Sequence, residues 1–337
     1  MKNRYAKIAA LLVLLSVASL CQDYPFLRKV EARCVARSDL SLGMYYYSYT
    51  LQNDETNPGW IEVLEIDISR NYSSTSYDTV GLRFYSNYGE RSFRTNYPKL
   101  AGYIVPVGFP SLPPRWGSTW GNKWTAHLSN LRNPVKPSQT ISGLVMMSRG
   151  LPGLRRMIVK PDFQDDLLFP SIEDTVFWKV PATRFIDSIR AAVNFYGWTI
   201  GPIAPPLDFS ASIWIDTLLS YTRQSAHLGW LGRERDDDCD DDERPDDGIV
   251  KNIEQRLQKA KRELMKGDSV QARKELEKLV QKVERIWKRS QEEEKKHKRD
   301  RWERKDNVIM TTEAYALLKY NTEYLADRLP REKKKKH

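Results

Sequence analysis

The sequence predicts a mainly β N-terminal domain, read as an immunoglobulin-like β-sandwich over residues 22–207, and a small all-α C-terminal helical bundle over residues 248–329. Three observations carry this. In the first part the apolar residues come in short runs broken by Pro, Gly, Ser and Asn, the pattern of many short strands joined by turns. In the second they recur every three or four residues, the period of one buried helix face. Between the two, residues 233–247 carry 3 basic and 10 acidic groups, an extended, self-repelling linker.

The formal charge of +10 over 337 residues divides accordingly: +6 over 1–232, −7 over the acidic run and +11 over 248–337. Apolar residues at 40% and charged residues at 29% suit a packed core and argue against whole-chain disorder. Three cysteines and four histidines argue against a disulfide-stapled miniprotein and a His-rich metal centre.

At the N-terminus, Lys2, Arg4 and Lys7 precede an apolar run over 8–20 in which Ser16, Ala18 and Ser19 supply cleavage positions. This predicts a secretory signal over 1–21, too short to span a bilayer. No second span follows, because Pro202, Pro205, Pro206 and Asp208 interrupt the apolar stretch at 195–219. The expected location is therefore secreted, periplasmic or cell-surface, with no transmembrane helix. Leu20 before Cys21 disfavours a lipoprotein. Export allows Cys34 and Cys239 to pair as a disulfide; one buried and one exposed thiol is the alternative.

The strands predicted in order are 44–51, rich in tyrosine, and 61–68, which follows the turn Asn57-Pro58-Gly59. In the latter, Leu64, Ile66 and Ile68 alternate with Glu65 and Asp67, giving one buried and one wet face. Further strands are expected at 79–85, 101–107, 124–128, 139–147 and 154–159, and 182–193 reads equally as helix or strand. A connecting helix at 208–232, capped by Asp208 or Ser210, carries Trp214, Leu218, Tyr221 and Ser225 on one side and ends before Gly229. Beyond the acidic linker, Ile249, Ile253, Leu257, Ala260 and Leu264 mark a helix closed by Gly267. Asp268 or Ser269 caps the next, with Leu276, Leu279, Val280, Val283 and Ile286 as its stripe up to Trp287. The charged stretch 288–306 is either an extension of that helix or a loop. Thr312 caps the last helix, with Glu313 in its first turn, where the dipole favours an anion. None of these helices buries its stripe alone, so they pack as a bundle. A basic tail follows at 330–337.

The C-terminal part is similar to the FIMAH domain, a small helical module of exported bacterial proteins. The resemblance rests on Gly248-Ile249-Val250-Lys251-Asn252, Lys266-Gly267-Asp268 and the run from Thr312-Glu313-Ala314-Tyr315 to Asn321-Thr322-Glu323-Tyr324-Leu325. Upstream, Gly201-Pro202-Ile203-Ala204-Pro205-Pro206, Leu228-Gly229-Trp230-Leu231 and Gly150-Leu151-Pro152-Gly153-Leu154-Arg155 resemble what accompanies it. This sequence departs by an insertion at 289–305 and by its higher charge. The resemblance implies an exported accessory role and no established catalytic activity.

Trp116, Trp120 and Trp124, four residues apart among Gly, Ser and Asn, form a candidate platform for stacking on sugar rings; the alternative is that they fill the sandwich core. Asp236, Asp238, Asp240 and Asp242 offer carboxylate oxygens to calcium but lack the glycine and terminal glutamate of an EF-hand loop, so a solvated linker competes with that reading. The acidic run is also placed to lie against the basic helical body. Asp162, Asp165 and Asp166 form a small acidic cluster that reads as a calcium site, a catalytic pair or a solvated loop. His127 and His227 are isolated, and no HExxH, GxSxG, phosphate loop or CxxC is present. No cofactor is expected beyond a calcium ion at the acidic run. The basic C-terminal body suits polyanions, but Trp287 and Trp302 are too few for specific nucleic-acid reading. The resulting expectation is a non-enzymatic exported accessory protein that binds an extracellular polysaccharide or an envelope protein. The alternatives are a scaffolding subunit assembling through the helical domain and a glycan-active hydrolase with unmarked carboxylates.

Overall fold

The computed structural model describes residues 26–39, 41–68, 107–120, 125–130, 134–161, 193–205, 209–233, 248–297 and 308–331. They form a mixed α/β fold with two antiparallel sheets, a two-stranded ribbon and four helices.

The first sheet has the order β1-β2-β7-β4, from β1 (Val30–Asp39), β2 (Met44–Asn53), β7 (Thr140–Ser148) and β4 (Gly108–Ser111). The second has the order β5-β6-β3-β8-β9, from β5 (Gly117–Trp120), β6 (Thr125–Ser129), β3 (Ile61–Asp67), β8 (Leu151–Pro161) and β9 (Phe195–Ile203). The β7–β8 turn carries the chain from one sheet to the other. Between the sheets, bulky and small residues alternate across strands. Tyr49 faces Cys34, Tyr47 faces Ala36 and Leu51 faces Ala32. On the other sheet Leu64 lies between Leu128 and Val159, and Ile66 between Ala126 and Met157. Each fully buried Leu, Ile, Val or Met among them contributes ~1.5–3 kcal/mol. The buried phenols of Tyr47 and Tyr49 keep their polar ends satisfied by donating to the carbonyls of Gly150 (2.7 Å) and Ile200 (2.9 Å). The Tyr49 bond runs from one sheet to the other.

The outer face of β3 is not wet as its alternation suggests. Val63 on that face is buried as well, and Glu65 is drawn into an ion-pair cluster. The strands expected at 79–85 and, apart from Val107, 101–107 lie outside the described residues. So does 182–193, apart from Val193, and so do the signal at 1–21, the acidic linker from 234 onward and the tail from 332.

Four helices follow the sheets. Ser210 caps α1 (Ala211–His227), accepting a hydrogen bond from the Ile213 amide, and Gly229 behind it takes φ +70°, a conformation that favours glycine. α2 (Gly248–Met265) and α3 (Ser269–His297) meet at Gly267, φ +81°, where Asp268 accepts from the Gln271 amide. The stretch 288–306, left open by the sequence, is helical through His297. Thr311, rather than Thr312, caps α4 (Thr312–Asp327). Thr311 has the extended backbone of a cap and accepts from the Ala314 amide, whereas Thr312 is already helical and turns its hydroxyl onto Glu313. The ribbon of β10 (Leu231–Arg233) and β11 (Val308–Met310) joins the two ends of the α2–α3 excursion. Among the described residues, no helix is long and apolar enough to cross a membrane.

Candidate functional site

The β body and the helical body, set apart in the sequence, meet along α4. β1 is an edge strand of its sheet, and unpaired edge amides and carbonyls need partners. Side chains of α4 supply them on β1 and reach β8 in the other sheet. Glu313, 3% exposed, accepts from the Cys34 amide at 2.5 Å. The Tyr320 hydroxyl donates to the Ala36 carbonyl at 3.2 Å, and the Asn321 amide donates to the Pro152 carbonyl at 2.8 Å. Trp214 of α1 then donates its indole N–H to the Asn321 carbonyl at 3.1 Å. Arg273 of α3 closes the C-terminal end of α4 by donating to the carbonyls of Ala326 and Leu329.

At that end of the seam lies an open cavity of about 270 Å³. Its walls are the β1–β2 turn (Ser38, Asp39, Gly43), Tyr45, Arg149 of the β7–β8 turn, and Tyr324 and Arg328 of α4. Hydrogen bonds brace the described residues of both turns. The Asp39 carboxylate accepts from the Ser41 and Leu42 amides and the Ser41 hydroxyl, which holds its own pKa below the usual carboxylate range. Gly43 sits at φ +61°, and Ser148 accepts from the Gly150 amide. The Arg328 guanidinium lies 3.5 Å from the Tyr324 ring centroid. Burial, helped by the charge of Glu323, pushes the Tyr45 hydroxyl up to about 12, so it stays protonated. The cavity thus combines two aromatic rings, a phenolic hydroxyl, two guanidiniums and the Asp39 carboxylate, which is already bonded to its own turn. That combination stacks a flat apolar face and fixes one negative group.

A second cluster spans β6, β3 and β8. Glu65 Oε1 accepts from Lys160 Nζ at 2.5 Å and sits 3.1 Å from His127 Nδ1. Burial raises the Glu65 carboxyl, and the bonds from His127 and Lys160 more than offset it, so its pKa falls below the ordinary value. His127 is therefore not isolated. Its cross-strand partner Glu65 is 62 residues away in sequence and gives no local signal.

The residues singled out in the sequence fare differently. Trp116 is buried, 6% exposed, which removes it from an exposed stacking platform and places it in the core. Trp120 ends β5, and Trp124 lies outside the described residues. Cys34 is a free, fully buried thiol. Burial, and then the Glu313 charge, raise its pKa well above the usual value. Cys239, Asp236, Asp238, Asp240, Asp242, Asp162, Asp165, Asp166 and Trp302 lie outside the described residues. His227 stands exposed in the last turn of α1. Trp287 stacks on Tyr315 with centroids 4.9 Å apart. Among the described residues, no group of three or more His, Cys, Asp or Glu is arranged to hold a metal ion.

Fold and site define a mixed α/β protein with a preformed pocket where its last helix closes the sheets. No known family pattern, no curated protein and no solved structure matches the chain.

Proposed function

We propose that this is an exported, non-enzymatic accessory protein that binds an acidic sugar of an extracellular or envelope glycan in the seam pocket. The observation that carries the reading is the convergence of Tyr45, Tyr324, Arg149 and Arg328 around one cavity. Sugar rings present flat C–H faces to aromatic rings, and a uronate carboxylate matches a guanidinium. The two facing sheets support the immunoglobulin-like sandwich reading, and the secretory pattern over 1–21 and the FIMAH-like helices support export.

The test is calorimetric titration of the full chain with glucuronic acid and with glucose. Glucuronic acid should bind saturably and glucose at least tenfold more weakly, a difference of about 1.4 kcal/mol. Arg149→Gln should weaken glucuronate alone, and Tyr324→Ala should weaken both. Failure of glucuronate to bind, or binding untouched by both variants, refutes the proposal.

A further inference from the structure

Cations recur along α3 at Lys274, Lys278, Lys282, Arg285 and Arg289, steps of four, four, three and four residues. That spacing keeps them on one side of the helix over about 22 Å, at 1.5 Å per residue. Arg256 and Lys259 of α2 join the same face. One buried carboxylate, Glu275, serves three of these cations: Lys259 at 3.1 Å, Lys278 at 3.0 Å and Arg256 at 3.7 Å. Lys274 and Arg289 have interactions of their own, and three neighbouring acids pair with cations off the stripe. Glu254 pairs with Arg223, Glu277 with Arg273 and Glu284 with Lys319. Arg285 donates Nε to a carbonyl of its own helix, and the buried Nε of Arg256 has no hydrogen-bond partner. Lys282 is depressed by burial and by the charges of Arg256 and Arg285, the mark of a crowded positive face.

We propose that this α2–α3 face is a binding surface for a linear anionic polysaccharide, gripped along the α3 stripe and by Arg256. The proposal concerns a different surface from the seam pocket and does not rest on it. Charge complementarity selects a polyanion, and two features select its kind. Single-stranded nucleic acid needs aromatic rings on which bases stack, and Trp287 is already stacked on Tyr315. Insertion into a membrane interface takes an exposed apolar flank. Leu276, Leu279 and Val283 of the α3 stripe are fully buried, and no large exposed apolar residue lies on α3. A line of point charges on a rigid rod suits a polymer with one carboxylate or sulfate per sugar.

The experiment is binding of the full chain to polyuronate across a salt series, with duplex DNA and phosphatidylglycerol vesicles as competitors. The double variant Lys282→Gln/Arg285→Gln is compared with a control of equal charge change on the sheets, Lys29→Gln/Lys136→Gln. The stripe variant should lose at least tenfold in affinity at 0.15 M salt, and its log–log salt slope should fall by about two units, roughly one per cation removed. The control should keep the slope. Removing mutually repelling cations should leave the melting temperature unchanged or higher, which shows that the variant is folded. If Arg285→Gln perturbs the helix, Lys282→Gln alone carries the test, with half the slope change. Tyr324→Ala acts only on the pocket's share of polymer affinity and should leave the salt slope set by the stripe intact, so this proposal and the pocket reading fail separately. Equal losses in stripe and control, no polyuronate binding, or preference for DNA or vesicles would each overturn the proposal.

Discussion

Replacing Glu313 by alanine removes the one α4 carboxylate that receives an edge amide of β1. The Cys34 N–H is then buried without an acceptor, which costs ~1–3 kcal/mol. Glu313 also stands in the first turn of α4, where loss of the negative charge costs ~0.3–1 kcal/mol more. The sum is about 1.3–4 kcal/mol. With a urea dependence of about 3 kcal/mol per molar, the midpoint should fall by about 0.4–1.3 M. Glu313→Gln keeps a carbonyl acceptor in place and should lose less than half as much. Hydrogen exchange at Cys34 gives the local readout: its amide should exchange at least tenfold faster in the alanine variant. An unchanged midpoint together with an unchanged Cys34 amide would refute the reasoning, because β1 would then be held by β2 and apolar packing alone.

Glu65 has a depressed pKa, so its contribution to stability is present above the unfolded value of about 4.3 and is lost as pH falls through the lower folded value. Glu65→Gln should therefore flatten the acid limb of a stability–pH profile below about pH 4.3 and reduce stability near pH 6; a profile parallel to wild type would contradict the cluster. The hydroxyls of Tyr45, Tyr47 and Tyr49 are raised by burial, so stability present below pH 10 should decline as pH rises through their folded values. Tyrosinate absorbance should accordingly rise together with unfolding rather than before it. A Cβ on Gly153 would overlap the Ile203 side chain, so Gly153→Ala should cost about 1–3 kcal/mol in denaturant unfolding; Gly197→Ala meets only the flexible end of Met157 and the Phe195 ring, and should cost less. Trp116→Ala should cost about 3–5 kcal/mol and leave glycan binding per folded molecule unchanged.

What the sequence revealed was local. Ser210 and Gly229 bracket α1 because a cap hydroxyl and a left-handed glycine act within one turn, and Gly267-Asp268 separates α2 from α3 for the same reason. Strands β2, β3 and β7 announce themselves by apolar alternation. β1 went unmarked because its inward residues include Ala32, Cys34 and Ala36, too small to stand out, yet small is what the facing tyrosines require. β9 is masked by Gly197, Gly201 and Pro202, residues that usually break strands. As an edge strand it tolerates the proline, and its glycines admit Met157 and Arg155. The pocket was illegible for a topological reason: Tyr45, Arg149 and Tyr324 come from three distant segments, and only the fold gathers them.

The bond from Cys34 to Glu313 closes a separation of 279 residues. The first strand of the described chain is thus completed by its last helix. At a synthesis rate of roughly 5–20 residues per second, β1 emerges about 14–56 s before the helix that covers it. During that interval its edge is an open template for any extended segment nearby. A chain cut short before α4 keeps that template for good, so quality control at the final helix decides whether the first strand stays solitary.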